Sequence, residues 1–248
     1  MTGLLVLALV PVFVLAFYIY FRDKYEKEPW QQLLKAMLAG VLIALPVSFF
    51  EGWMTWLGAS FTGVLGGFWK AFFVASLTEE AFKLLIFFLL FWNHRHFNEK
   101  YDGIIYASFI ALGFAGIENV LYVMHSGVST GLARAFTAVP AHALFGVIMG
   151  FYGGLAKFYP KKRTQYLYSS FLFPFALHGL YDFILMSGIN WLLLLFLPLV
   201  VFMWINGLKR MKQLNDSSIF RDDLSLGIDF SKVKDYQPVD HEDGRSDR

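Results

Sequence analysis

Hydrophobic residues in this chain gather into long runs separated by short polar stretches. A membrane-crossing helix needs about 20 apolar residues at ~1.5 Å of rise each. Seven segments reach that length, near 3–21, 33–56, 64–92, 103–125, 131–157, 167–187 and 190–207. The pattern predicts an all-α, polytopic membrane helical bundle of about seven transmembrane helices. The first run has no Lys or Arg ahead of it and no small-x-small cleavage site after it, so it is expected to be a retained anchor, not a secretory signal. Past residue 208 the apolar signal stops. Residues 1–208 are therefore expected to form the transmembrane domain and 209–248 a charged, flexible cytosolic tail, because a segment such as 240–248 cannot bury enough apolar surface to offset its ordering entropy. The runs show no duplication or repeat of fixed period.

Basic residues then orient the bundle. Arg22, Lys24 and Lys27 follow the first run, with Lys35 just inside the second; Arg95 and Lys100 follow the third; Lys157, Lys161, Lys162 and Arg163 follow the fifth; Lys209, Arg210 and Lys212 follow the last. The alternate loops, near 57–63, 126–130 and 188–189, carry none. Under the positive-inside rule this predicts an outside N-terminus and a cytoplasmic C-terminus. Lys70, Lys83 and Arg134 do not fit the scheme, although two of them lie close enough to the outer helix ends to snorkel.

Composition agrees with a membrane class: 57% hydrophobic and 19% aromatic against only 16% charged is richer in apolar residues than a soluble domain requires. The absence of cysteine excludes a disulfide framework, a thiol nucleophile and any cysteine-ligated metal. A net charge of +2 gives no reason to expect a nucleic-acid partner.

What changes the picture is the set of polar residues inside the apolar runs. An ionised side chain at the bilayer centre costs roughly 2.5 kcal/mol or more, so such residues face the protein interior and usually mark function. Glu79, Glu80, Glu118 and Asp182 lie at the middle or outer half of their runs, and His142 and His178 join them at similar depth. In Thr78-Glu79-Glu80-Ala81-Phe82-Lys83 the spacing places both glutamates within one turn of the lysine. Two acids with one base leave an uncompensated charge, which is poor packing glue in lipid and a means of preparing a carboxylate to take a proton from water. Glu118 follows the small residues Gly113, Ala115 and Gly116, which would admit a neighbouring helix and turn Glu118 into the contact. His142 follows Pro140, expected to free a backbone carbonyl beside it. His178 and Asp182 share one helix face at i and i+4, a spacing that suits metal binding or a carboxylate orienting an imidazole. Glu51, His94, His96 and His125 fall at run ends or in loops, where exposure is ordinary.

Glu79-Glu80-x-x-Lys83, Phe114-x-x-x-Glu118 and His178-x-x-x-Asp182, in that order on successive helices, closely resemble the three motifs of the PrsW family, together with Tyr101-Asp102-Gly103-Ile104 and Ala141-His142-Ala143-Leu144. That family consists of intramembrane proteases of the bacterial cytoplasmic membrane that make the first cut in a membrane-anchored anti-sigma factor. The resemblance implies an intramembrane endopeptidase with a single-span anti-sigma factor as substrate. It implies Glu79, Glu80 and His178 as catalytic residues, with Lys83, Glu118, His142 and Asp182 supporting them. The family is distantly similar to CAAX prenyl endopeptidases, whose motifs run Glu-Glu-x-x-x-Arg, Phe-x-x-x-His and His-x-x-x-Asn. Here the acids Glu118 and Asp182 stand where those proteins place hydrogen-bond donors, so the oxyanion would need a protonated acid, His142 or His178, Lys83 or a metal.

Two mechanisms stay open. In one, Glu79 or Glu80 deprotonates water with no cofactor, which explains the Glu-Glu-x-x-Lys motif without an ion. In the other, a divalent metal such as zinc, with His142, His178, Glu118 and Asp182 as its candidate ligands, lowers the pKa of bound water. Buried acids and histidines also serve proton- or ion-coupled transporters, but the chain lacks duplicated halves and its polar groups form one cluster instead of a path. A CAAX-type endopeptidase and a catalytically silent membrane adaptor complete the alternatives.

Overall fold

Residues 2–221 are described by the computed structural model, and helices account for nearly all of them. In chain order they are α1 (Thr2–Arg22), α2 (Trp30–Leu57), α3 (Gly63–Phe68), a π-helical segment (Trp69–Ser76), α4 (Leu77–Phe91), α5 (Lys100–Phe136), α6 (Ala138–Phe158), α7 (Arg163–Met186) and α8 (Phe196–Asp216). Short 3-10 turns at Pro160–Lys162 and Asn190–Leu195 lead into α7 and α8. Five stretches are long and apolar enough to cross a membrane: Thr2–Arg22, Trp30–Leu57, Lys100–Phe158, Pro160–Met186 and Asn190–Asp216. The segment expected as the third run is helical throughout 63–91 but changes from α to π and back. The last helix continues to Asp216, past the expected start of the tail at 209, and 222–248 lie outside the described residues.

α5 and α6 form the centre. Nearly every residue from Tyr101 to Gly116 and from Ala138 to Gly150 is buried, whereas α1, α2 and α8 show apolar side chains such as Phe17, Leu45, Phe49 and Leu197 on their outer faces. That distribution suits a bundle solvated by lipid. Between α5 and α6, Gly146, Gly150 and Gly154 recur every fourth residue and press against the backbone of Ala107, Gly103 and Lys100: a Cβ on Gly150 would come 2.0 Å from the Gly103 carbonyl oxygen. Without a hydrophobic drive between helices in lipid, close backbone approach through small residues supplies the packing. Gly40 and Gly113 do the same between α2 and α5, where added Cβ atoms would meet the carbonyls of Ile110 and Met37 at 2.0 Å each.

The C-terminal part of α5 is not one continuous helix. Within the polar stretch near 126–130 the helix breaks at Gly127, and a second helical piece runs on to Phe136 before the chain passes into α6 at Thr137. Thr130 and Thr137 return their hydroxyls to the carbonyls of Ser126 and Ala133, satisfying polar side chains inside helix. Gly127 has φ 81° and ψ −168°, a conformation essentially reserved for glycine. The kink turns the following residues back toward the bundle. Sixteen residues of straight helix span about 24 Å, yet Arg134 Nη2 lies 2.9 Å from Glu118 Oε2.

Candidate active site

Glu79 and Glu80 occupy the first turn of α4, directly after the π-helical segment and midway along 63–91. Single π turns often sit at functional sites because they alter the phase at which following side chains project. Ser76 ties this segment to α7 by donating its hydroxyl to the Phe175 carbonyl at 2.6 Å. Farther along α7, Gly179 leaves room for the Phe72 ring, which a Cβ would meet at 2.4 Å. This close approach brings the neighbouring His178 to the glutamates.

Lys83, fully buried, binds both acids, with Nζ 2.9 Å from Glu79 Oε2 and 2.9 Å from Glu80 Oε1. Its ammonium also lies 3.2 Å from His142 Nδ1 and 4.4 Å from the centre of the Phe114 ring. The phenylalanine of the Phe114-x-x-x-Glu118 motif thus provides a π face for the lysine of the first motif. An ammonium can only donate, so His142 Nδ1 accepts and Nε2 carries the proton, donating to Glu118 Oε2 at 3.0 Å. Arg134 completes the neutralisation of Glu118 and donates from Nε to Asn119 Oδ1 at 3.1 Å.

His178 is held between acids. Nδ1 lies 2.9 Å from Glu80 Oε1, and Nε2 lies 3.3 Å from Asp182 Oδ2 and 4.0 Å from Glu79 Oε1. Phe145 stacks on the ring at 4.8 Å between centroids and 16° between planes, fixing its orientation. The i, i+4 spacing read from the sequence therefore does bring His178 and Asp182 together.

A cavity of about 540 Å³ opens beside this cluster. Glu79, Glu118, His142, His178 and Asp182 line it; Glu80 and Lys83 do not. The two adjacent glutamates are thereby separated in position: Glu80, with no exposed surface, is enclosed between Lys83 and His178, while Glu79 faces the cavity.

Three further lining residues, Glu51, Tyr122 and Arg134, are absent from the motif reading. By sequence Glu51 is a run-end residue, yet α2 continues six residues beyond it and places it against the cavity. Arg134 left a signal as a basic residue unplaced by the charge scheme, but its partner is found only once the chain bends at Gly127. Tyr122 stacks under the Arg134 guanidinium, 3.9 Å from its ring centre. Pro140 does not act as expected: it lies in the first turn of α6, where the missing N–H is one the helix leaves unpaired in any case, so no extra carbonyl is freed beside His142.

The donor set fits a divalent metal. One atom from each of Glu79, Glu80, His142 and His178 lies within 4.8 Å of the others. Lys83 engages one oxygen of each glutamate, and Glu80 Oε2 is buried without a hydrogen-bond partner. Five carboxylates, Glu51 included, share the site with two permanent cations, Lys83 and Arg134, so a low-dielectric site calls for further positive charge as protons or as an ion. Glu118 and Asp182, the other two candidate ligands from the sequence, contact His142 and His178, the position from which carboxylates orient metal-binding imidazoles.

Comparison with known proteins identifies the family. Residues 28–206 match the family model described as PrsW family intramembrane metalloprotease. The chain is 40% identical over 213 residues to Protease PrsW of Geobacillus kaustophilus, covering 86% of this chain and 92% of that one. It is 39% identical over 207 residues to Protease PrsW of Bacillus subtilis, covering 83% and 92%. No solved structure matches. With the family model spanning most of the chain and the motif residues gathered around one cavity, this multi-pass membrane protein belongs to the PrsW family of intramembrane metalloproteases, hydrolases of peptide bonds.

Proposed function

We propose that the chain cuts a single-span membrane protein, an anti-sigma factor as the family resemblance implies, at the cavity beside Glu79. The observation that carries the assignment of roles is that Glu79 faces the cavity while Glu80 is enclosed. Glu79 takes a proton from water as the water oxygen bonds to the scissile carbonyl carbon. The proton passes to the amide nitrogen as the C–N bond breaks. His178 Nε2–H and Arg134, which both line the cavity, donate to the developing oxyanion in place of the donors that acids replace in this chain. Glu80 and Lys83 position His178 and Glu79, and Glu118 and Asp182 hold the two imidazoles. Glu79, Glu80, His142 and His178 would hold a divalent metal such as zinc, which when bound lowers the pKa of water toward 7 and polarises a carbonyl.

We also propose seven crossings. Lys100–Phe158, 59 residues, would extend about 89 Å as one helix, so it must cross a ~30 Å hydrocarbon core twice. The helical stretch 63–91 is itself about 44 Å long and crosses once.

The test of the role assignment is cleavage of a single-span reporter in membranes at matched expression. Glu79→Gln is expected to lower turnover by about 10²-fold or more, the usual loss for a general base. Wild-type turnover in Glu79→Gln would remove the assignment.

A further inference from the structure

α4 rises about 17 Å from Glu80 to Phe91, and the chain re-enters the bundle as α5. At that end, remote from the catalytic cavity, a second group of acids gathers. Glu26 and Glu28 come from the α1–α2 connection and Asp102 from the first turn of α5; one carboxylate oxygen of each lies within 4.8 Å of the others. Glu28 is 2% exposed and Asp102 0%.

Each carboxylate is anchored through one oxygen. Asp102 Oδ2 accepts from the backbone N–H groups of Asn98 and Glu99, both at 2.8 Å. Glu28 Oε2 accepts from the Tyr106 hydroxyl, and Glu26 Oε1 from Asn98 Nδ2 at 3.1 Å. The other three oxygens, Asp102 Oδ1, Glu28 Oε1 and Glu26 Oε2, are buried with no hydrogen-bond partner. Among the described residues, no lysine or arginine forms a salt bridge with any of the three acids. An ion-pair network would fill these oxygens with basic side chains. Here protein donors fix the carboxylates and leave three oxygens bare, although each buried unpaired acceptor costs about 1–3 kcal/mol.

We propose that Glu26, Glu28 and Asp102 bind a hard divalent cation, Mg²⁺, Ca²⁺ or Mn²⁺, that clamps the α1–α2 connection to the start of α5. Such ions hold oxygens at about 2.0–2.6 Å, so ligands on opposite sides of one ion stand at most about 5 Å apart. The 4.8 Å limit that holds for one oxygen from each of the three acids falls inside that range. An all-oxygen set without nitrogen or sulfur separates this site from the histidine-containing catalytic cluster and selects hard cations. The cation would brace a junction of several helices, since Asn215 of α8 also reaches this connection, donating to the Arg22 carbonyl at 2.8 Å.

The test uses purified full-length protein in detergent, stripped of divalent ions and melted with increasing Mg²⁺, Ca²⁺ or Mn²⁺. At a hundredfold excess over the dissociation constant, the midpoint is expected to rise by about 5 °C or more in the wild type. The same rise is expected in Glu80→Gln, whose substitution touches only the catalytic cluster. It is expected to vanish in Glu28→Gln and in Asp102→Asn, the latter keeping an acceptor for the two backbone N–H groups. If Asp102→Asn fails to fold, Glu26→Gln and Glu28→Gln decide. No rise with any of the three ions in the wild type, an undiminished rise in Glu28→Gln, or a rise lost only in Glu80→Gln would overturn the proposal.

Discussion

Lys83 pairs with two neighbouring acids without making them unequal. It binds both glutamates at the same distance, so its contacts alone do not separate them; the separation comes from His178, which closes on Glu80 and leaves Glu79 at the cavity. That much was legible in part. The Glu-Glu-x-x-Lys spacing announces the ion pairs, and His178-x-x-x-Asp182 announces a shared face, because both are consequences of helical periodicity within one element. Which glutamate meets the cavity depends on α7, and no spacing along α4 contains that. The same reasoning gives a residue-scale prediction for His178. It shares Glu80 with Lys83 and lies in the group of four possible metal donors, so His178→Ala is expected to abolish reporter cleavage and to reduce metal that co-purifies with the protein, with chelator reproducing the loss. Retention of full cleavage by a folded His178→Ala protein would exclude His178 from the chemistry, and loss of cleavage with metal content unchanged would restrict it to proton transfer and oxyanion binding.

At the scale of elements, long apolar runs predict where helices exist and fail at where they bend. The stretch Ser126 to Thr130 has the composition of a loop, and the helix does break there at the positive φ of Gly127, but the Thr130 hydroxyl bonds back to the Ser126 carbonyl and helix resumes as far as Phe136. The bend delivers Arg134 to Glu118, a contact invisible to any reading that ends the helix near 125. Gly127→Ala forces a side chain into a conformation that costs on the order of 1–3 kcal/mol. Nothing lies within 4 Å of an added Cβ there, so the penalty is conformational and not a clash. The expected outcome is reduced reporter cleavage with the glutamate cluster intact, in parallel with Arg134→Gln; a Gly127→Ala protein as active as wild type would show that the bend does not serve the site. The α1–α2 connection supplies a second element-scale prediction. Burial, with Glu99 nearby, pushes the Asp23 carboxyl up from 3.8 to about 7. A raised carboxyl favours the neutral form in the folded state, so its stabilising contribution is complete below about pH 4 and is lost as pH rises through 7. In divalent-free buffer the melting midpoint is expected to fall over that interval and to fall less in Asp23→Asn; an unchanged slope in the variant would remove Asp23 as the cause.

For the whole molecule, the distribution of charge and the distribution of burial carry different information. Burial identifies α5 and α6 as the centre and leaves apolar faces on α1, α2 and α8 for lipid, but it is indifferent to which side of the membrane each end faces. Only the basic residues address that question. Arg22, Lys24 and Lys27 between α1 and α2, Arg95 and Lys100 between α4 and α5, Lys157 to Arg163 between α6 and α7, and Lys209 to Lys212 near the end of α8 all belong on one side if the chain crosses seven times. Arg134, the apparent exception, faces Glu118 inside the bundle and so does not count as a loop charge. On that proposed topology the carboxylates Glu26, Glu28 and Asp102 would lie on the cytoplasmic side, and the proposed catalytic cavity toward the opposite face. A reporter active only in the cytoplasm, fused after Lys212, is expected to work, whereas the same reporter inserted in the segment 58–62 between α2 and α3 is expected to be silent. Activity at both positions would require an even number of crossings between them. Activity confined to 58–62 would invert the molecule, placing the catalytic cavity on the cytoplasmic side and the oxygen cage outside.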